Sequence, residues 1–248
     1  MAEYLDNPAG RLLALFQKAR FVQTSSSVLN VWALVFDIKL EGQAAEFELL
    51  HRLFETYELL EKLVDEISHI EDPEEREEFM VPIPRLRNAI IIANAANTNS
   101  AIISGISDGD LIVLKFCSRY LHNHQPEPVA DPLQLERLTA KLNELFDVVQ
   151  ASSTLEAELK TFLLSRIEEI RRGIQEYRIG GIERLRETLG TVYGSAFVHS
   201  DTIQEAKDTD ELRQFGAVVN QLAAIVTFAW KTTKMLESVQ TIFPMLLK

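Results

Sequence analysis

The amino-acid sequence predicts an all-α fold, a multi-helix bundle of about seven to nine helices with long antiparallel helices in its C-terminal half. Three observations carry this. Apolar residues recur in steps of three and four over long stretches, and helix-start signatures precede several of them. Only 10 Gly and 8 Pro occur in 248 residues, too few for the many turns of a sandwich or barrel. With 46% hydrophobic residues the chain can bury a sizeable core, so disorder is not expected.

Residues 11 to 22 and 25 to 40 are apolar-rich, around Leu12, Leu13, Leu15 and Phe16 in the first and Trp32, Val35 and Phe36 in the second. Ser25, Ser26 and Ser27 supply a break and an N-cap between them, although Val31 to Ile38 is short enough to read as a strand. From Gln43 to Ile70 the seam Leu50, Leu53, Tyr57, Leu60, Val64, Ile67, broadened by Phe47, Phe54 and Leu63, specifies a long amphipathic helix. In Asp72-Pro-Glu-Glu75 the Asp caps, Pro takes the first helical position and Glu75 closes a capping box. The acidic helix so begun stops by Val81-Pro-Ile-Pro84. Residues 85 to 104 read as a helix around the polar centre Asn94, Asn97, Thr98 and Asn99, and Ser107 opens another from Asp108 to His122.

The proline-rich stretch from Gln125 to Pro132 is the best linker, dividing an N-terminal helical subdomain (1–124) from a C-terminal bundle (133–248) that can also pack with it as one domain. Beyond it, Asp131-Pro-Leu-Gln134 and Ser153-Thr-Leu-Glu156 read as capping boxes. The first precedes Leu135, Leu138, Leu142, Leu145 and Val149, the second Leu159, Leu163, Ile167, Ile170, Ile174 and Tyr177. Two long antiparallel helices, 132–151 and 154–178, follow from this. Gly180-Gly181 breaks the second, a shorter helix runs to about Gly190, and a loop from Tyr193 to Asp208 leads to a C-terminal helix capped by Asp208 or Thr209. Between Arg213 and Lys231 no side chain is charged, yet Leu212, Phe215, Val219, Leu222, Val226 and Ala229 keep helical spacing. Because the seam continues through Leu236 and Phe243 among Lys231, Lys234 and Glu237, it reads as bundle core in preference to a membrane segment.

A net charge of −12 disfavours nucleic acid and anionic lipid and suits a basic or neutral partner. The lone Cys117 forbids an internal disulfide, and acids stand in Met1-Ala-Glu-Tyr-Leu-Asp6 where a secretory signal needs positive charge, so the chain reads as cytoplasmic.

The sharpest catalytic match is Gly105-Ile-Ser107-Asp-Gly109, which fits the G-x-S-x-G nucleophile elbow, and His199 and Asp147 can be drafted as triad partners only because any chain contains a His and an Asp somewhere. An elbow needs a parallel sheet that this pattern lacks, so Ser107 is read as an N-cap and a hydrolase ranks third among the functions. Glu48/His51 and Glu66/His69 have the one-turn spacing of di-iron carboxylate ligands, but the pairs lie about 27 Å apart along one helix and read as solvated surface. Cys117, His122 and His124 lack a fourth zinc ligand, so neither metal nor cofactor is expected.

Arg166, Arg171, Arg172, Arg178, Arg184 and Arg186 gather around Tyr177, but interleaved glutamates make intrahelical pairing the simpler reading. Arg171, Arg172, Arg178, Arg184 and Arg186, and the acidic Glu74, Glu75, Glu77 and Glu78, are the candidate interaction surfaces. Asn94, Asn97, Thr98 and Asn220 are candidates for a polar core that sets helix register or lines a pocket.

Two function classes remain ahead of the hydrolase. The favoured one is a non-catalytic helical protein acting through a protein partner: an adaptor, an immunity or antitoxin-like neutraliser, or an accessory subunit, with homo-oligomerisation compatible. The other is a membrane-active effector that exposes the charge-free windows 88–107 and 214–230 on a trigger.

Overall fold

The computed structural model describes residues 4–22, 27–90 and 105–230, and the backbone alone at Trp230. Among them the chain is all helical, 81% helix with no strand, so the expected bundle is present. Val31 to Ile38, open between helix and strand from sequence, begins as helix. The contacts divide the chain into two compact units, Met1–Glu127 and Pro128–Lys248.

In the first unit α1 (Pro8–Phe21), α2 (Val28–Val35), α3 (Gln43–Ser68), α4 (Pro73–Met80), α5 (Ile83–Ile90) and α6 (Asp108–His124) succeed one another. α1 starts at Asn7, whose Oδ1 accepts from Gly10 N at 2.9 Å, with Pro8 at the first position where a missing N–H costs nothing. Almost all its residues from Pro8 to Phe16 are buried, because α6, α3 and α2 pack around it. Phe16 meets Trp32 of α2 edge to face, and the indole N–H donates to Ala89 O at 3.0 Å, so a fully buried Trp leaves no polar atom unpaired.

α3 is the predicted long helix, but rotated. Leu49, Arg52, Leu53, Thr56, Leu59, Leu60, Leu63 and Ile67 are buried, while Phe47 and Phe54 stand 70% and 56% exposed and Leu50 and Tyr57 are only half-buried. The expected seam shares Leu53, Leu60 and Ile67 with the real one but takes the wrong neighbouring column. Apolar residues occupy both flanks of that row, and only packing chooses between columns a single residue, or about 100°, apart. α4 begins as expected, Asp72 Oδ1 accepting from Glu74 N and Glu75 N, without the reciprocal Glu75 bond of a capping box. The expected helix over 85–104 begins at Ile83 in α5, and residues 91–104 lie outside those described, Asn94, Asn97 and Thr98 among them.

The second unit holds α7 (Pro132–Ala151), α8 (Ala157–Val198), α9 (Ser200–Glu205) and α10 (Asp210–Trp230). With the six-residue α9 taken as a continuation of α8, nine helices are described. Within α8 the path breaks at Gly181, whose φ of 64° and ψ of −156° only glycine adopts without strain. The break is a reversal. Gly173 and Thr188 lie fifteen positions apart, over 20 Å on a straight helix, yet a Cβ built on Gly173 would sit 2.2 Å from Thr188 Oγ1. α7, the two arms of α8 and α10 therefore share one core, which includes Leu138, Leu142, Ile167, Leu185, Phe215 and Val219.

Four expectations are corrected here. The second arm does not stop near Gly190 but runs to Val198, with α9 in place of the expected loop, since single glycines are tolerated inside a helix whose other residues pack. Ser153 closes no capping box: Glu156 is the N-cap, without a side-chain bond, and Lys160 Nζ donates to Ser152 O instead. At α7 Asp131 Oδ1 accepts from Leu133 N, again without a reciprocal bond from Gln134. In α10 the charge-free seam is core: Leu212, Phe215, Val219, Leu222 and Val226 are buried against α7 and α8. Asn220 is exposed, so it is no core amide, and Gln221 accepts from Lys141 Nζ at 2.8 Å. Among the described residues no helix is long and apolar enough to cross a membrane.

The proline-rich segment is divided between the units. Glu127 N donates to Asp6 O at 2.7 Å in the first, and Ala130 N donates to Tyr177 Oη at 2.9 Å in the second. Neither end of it is slack chain.

Candidate interaction face and pocket

Ser107 is an N-cap in ordinary extended backbone. Its Oγ accepts from Asp110 N at 3.1 Å while Ser107 N donates to Asp110 Oδ2 at 2.8 Å, a reciprocal capping box, and the Ser107 hydroxyl also donates to Asp110 Oδ2 at 2.8 Å. Asp110 is buried and also takes Arg85 Nε at 2.9 Å. Burial works to raise its pKa, but the hydrogen bonds from Arg85 and Ser107 prevail and hold it below the usual carboxylate range. A hydroxyl proton committed to a carboxylate, with no strand among the described residues to form an elbow, is a helix start rather than an activated nucleophile.

The metal-like sets do not converge. Cys117 is buried beside Ser118 and its thiol is pushed up to about 12, first by burial and then by the Glu66 charge, which leaves it a poor ligand and nucleophile. His122 Nδ1 sits 2.6 Å from Asp6 Oδ2, and His124 Nδ1 2.8 Å from Tyr120 O. His69 Nδ1 faces Asp65 O at 2.7 Å, a local helix-end contact.

Half of the arginine cluster forms ion pairs within the unit. Arg171 pairs with Glu168 and lies 4.5 Å over the Phe146 ring, Arg186 pairs with Glu183, and Arg184 pairs with Glu187 and with the fully buried Glu176. Arg172 and Arg178 are exposed. The acidic helix is the opposite case. No described cation pairs with Glu74, Glu75, Glu77 or Glu78, and Met80 and Val81 at its end are exposed. Phe47, Leu50, Phe54 and Tyr57 form a second apolar column on α3, turned outward between Glu46, Glu48 and Glu58. Sequence reasoning placed these side chains in the core; their signal was an apolar stripe too wide for one buried face.

A polar knot joins three elements inside the first unit. Arg11, 3% exposed, donates Nη1 to Glu127 Oε2 at 2.5 Å and Nη2 to Oε1 at 3.2 Å, and Lys62 Nζ adds a bond of 2.7 Å. Burial works to raise the Glu127 pKa, and the two cations overcome it and lower it. Glu66 is left over, its Oε2 buried without a hydrogen-bond partner, and desolvation with the nearby Glu127 charge raises its pKa from 4.5 to about 7. The folded chain thus keeps a proton that the unfolded chain has lost. This contribution to stability is complete below pH 4.5 and is lost as pH rises through about 7. Glu66→Gln is expected to remove that falling limb from a series of thermal melts and to leave the variant more stable than wild type at pH 8. Parallel pH profiles for the two proteins would refute this.

In the second unit the reversal of α8 brings Ser195 and His199 to Glu158, Phe162, Ser165 and Arg166, around an open cavity of about 480 Å³. Arg166 donates Nη1 to Ser195 Oγ at 2.9 Å and Nη2 to Ser165 Oγ at 2.8 Å. His199 Nδ1 lies 2.9 Å from Ser195 O, with its ring 4.8 Å from that of Phe162.

No protein-family model matches this chain, and neither a curated protein nor a solved structure matches it.

Proposed function

We propose that the protein is a non-catalytic helical interaction module of the cytoplasm, working as an adaptor, a neutraliser or an accessory subunit. The observation that carries this is the outward column Phe47, Leu50, Phe54, Tyr57 on α3, two of its aromatic rings more than half exposed. Large apolar side chains lined up on a helix face lose free energy in water and gain it against a partner, and aromatic rings are the usual anchors of such contacts. The glutamates beside the column, the unpaired carboxylates of α4 and the net charge of −12 favour a partner whose apolar surface is rimmed by Lys and Arg.

Photo-crosslinking from position 54 in the native host, followed by identification of the adduct, tests this. One defined protein is expected, its yield falling as salt rises and at least tenfold in Phe47→Ser, while thermal melts of the variant stay within a few degrees of wild type. Crosslinking only to a second copy would make the column a homo-oligomer interface. Leakage of anionic vesicles by the wild-type protein would favour the membrane-active reading and overturn this one.

A further inference from the structure

We propose that the open cavity between the two arms of α8 binds a small organic phosphate, a monoester carried on a flat apolar body. The argument starts from one cation. Arg171, Arg184, Arg186 and Arg213 in the same unit each take a carboxylate, whereas Arg166 has none within ion-pair distance among the described residues. Its only described partners are two hydroxyl oxygens, and its Nε is buried with no acceptor.

A guanidinium held this way is positioned without being neutralised. The Ser165 and Ser195 oxygens accept from it, so their own protons are directed away from the guanidinium and are available to donate to a ligand. Facing the Ser195 carbonyl, His199 Nδ1 carries a proton and leaves Nε2 as the free nitrogen of the ring. The polar wall is thus a cation flanked by hydroxyl donors, the complement of an oxyanion with several acceptor oxygens. Phe162 supplies the apolar wall, and about 480 Å³ is the size of a small-molecule site. A phosphate matches this donor set better than a carboxylate because it presents three acceptor oxygens instead of two. Glu158, exposed at the rim, is the like charge such a ligand would meet.

The test is calorimetric titration of the full chain with phenyl phosphate, inorganic phosphate and benzoate. Saturable binding of phenyl phosphate is expected, tighter than either comparator. Arg166→Met should weaken it about 10- to 100-fold. Ser195→Ala should weaken it about threefold to tenfold. Glu158→Gln should tighten it about two- to fivefold. Should Arg166→Met fail to fold, the opposite signs of Ser195→Ala and Glu158→Gln still decide. No saturable heat at millimolar phenyl phosphate, benzoate binding as tightly, or affinity indifferent to these substitutions overturns the proposal.

Discussion

Replacing Arg11 by Met is expected to destabilise the first unit by about 3 kcal/mol, at the lower end of the 3–5 kcal/mol that follows when one partner of a buried ion pair is removed. Arg11 is 3% exposed and makes two bonds to Glu127, so its loss strands a carboxylate that is itself largely shielded. Lys62 keeps its bond of 2.7 Å to that carboxylate, which is why the lower end applies. Two further consequences separate this from a simple packing defect. Arg11 also offsets the negative charge felt by Glu66, so the variant's loss of stability with rising pH should extend further above pH 7 than wild type's. The double variant Arg11→Met/Glu127→Leu should recover much of the loss, since an apolar pair in place of a buried ion pair is often neutral. Urea unfolding followed by Trp32 fluorescence in a Trp230→Phe background, where Trp32 is the only indole, measures all three. A single variant within 0.5 kcal/mol of wild type, or a double variant worse than the sum of its parts, would show that the knot is not what holds this unit.

The second large effect is a sign reversal between two glycines of one helix. Gly173→Ala should cost about 1–2 kcal/mol and Gly190→Ala should gain up to about 1 kcal/mol. Helix propensity favours alanine by about 1 kcal/mol at either site, so packing decides. At Gly173 a new Cβ would stand 2.9 Å from Thr188 Cβ, an atom fixed to the opposite arm's backbone, and 2.2 Å from its Oγ1. The arms would have to separate. At Gly190, exposed with nothing within 4 Å, the methyl meets only solvent. Thr188→Gly should rescue Gly173→Ala in part by opening the same space from the other side. Chemical unfolding by circular dichroism gives the energies, and faster amide exchange along both arms of α8 should locate the damage in Gly173→Ala. Equal and favourable effects at the two sites would mean that the arms are not in contact there.

Gly181 shows how far the sequence was legible and where it stopped. The Gly180-Gly181 pair marks a helix break in the bare sequence, but nothing in it says that the chain doubles back. A break can be a kink, a cap or a reversal, and which one forms depends on whether Leu185, Leu189 and Val192 find an apolar surface on the first arm. The pocket inherits that ambiguity. Arg166 and Ser195 are separated by 29 positions and meet only because of the reversal, so no spacing rule could have joined them. The Arg166 sidechain stood in the sequence as one arginine of a mixed-charge run, where its neighbours' glutamates suggested a pairing that it does not have.

Local, short-range physics was readable. The Ser107 cap, the start of α4 at Asp72-Pro73, the bounds of α7 and the buried seam of α10 depend on residues a turn or two apart, and a polypeptide with these side chains meets the same local preferences in any fold. What lay beyond the sequence were the choices among locally equal alternatives. α3 could bury its Leu49–Leu63 column or its Phe47–Tyr57 column with similar apolar content. The fold buried the first, where Arg52 finds Glu55 and Thr56 bonds back to Arg52 O, and left the aromatic column outside as the face proposed for a partner. Rotation of a helix about its axis costs nothing in local propensity, so it is set by the elements packed against it, which lie far away along the chain.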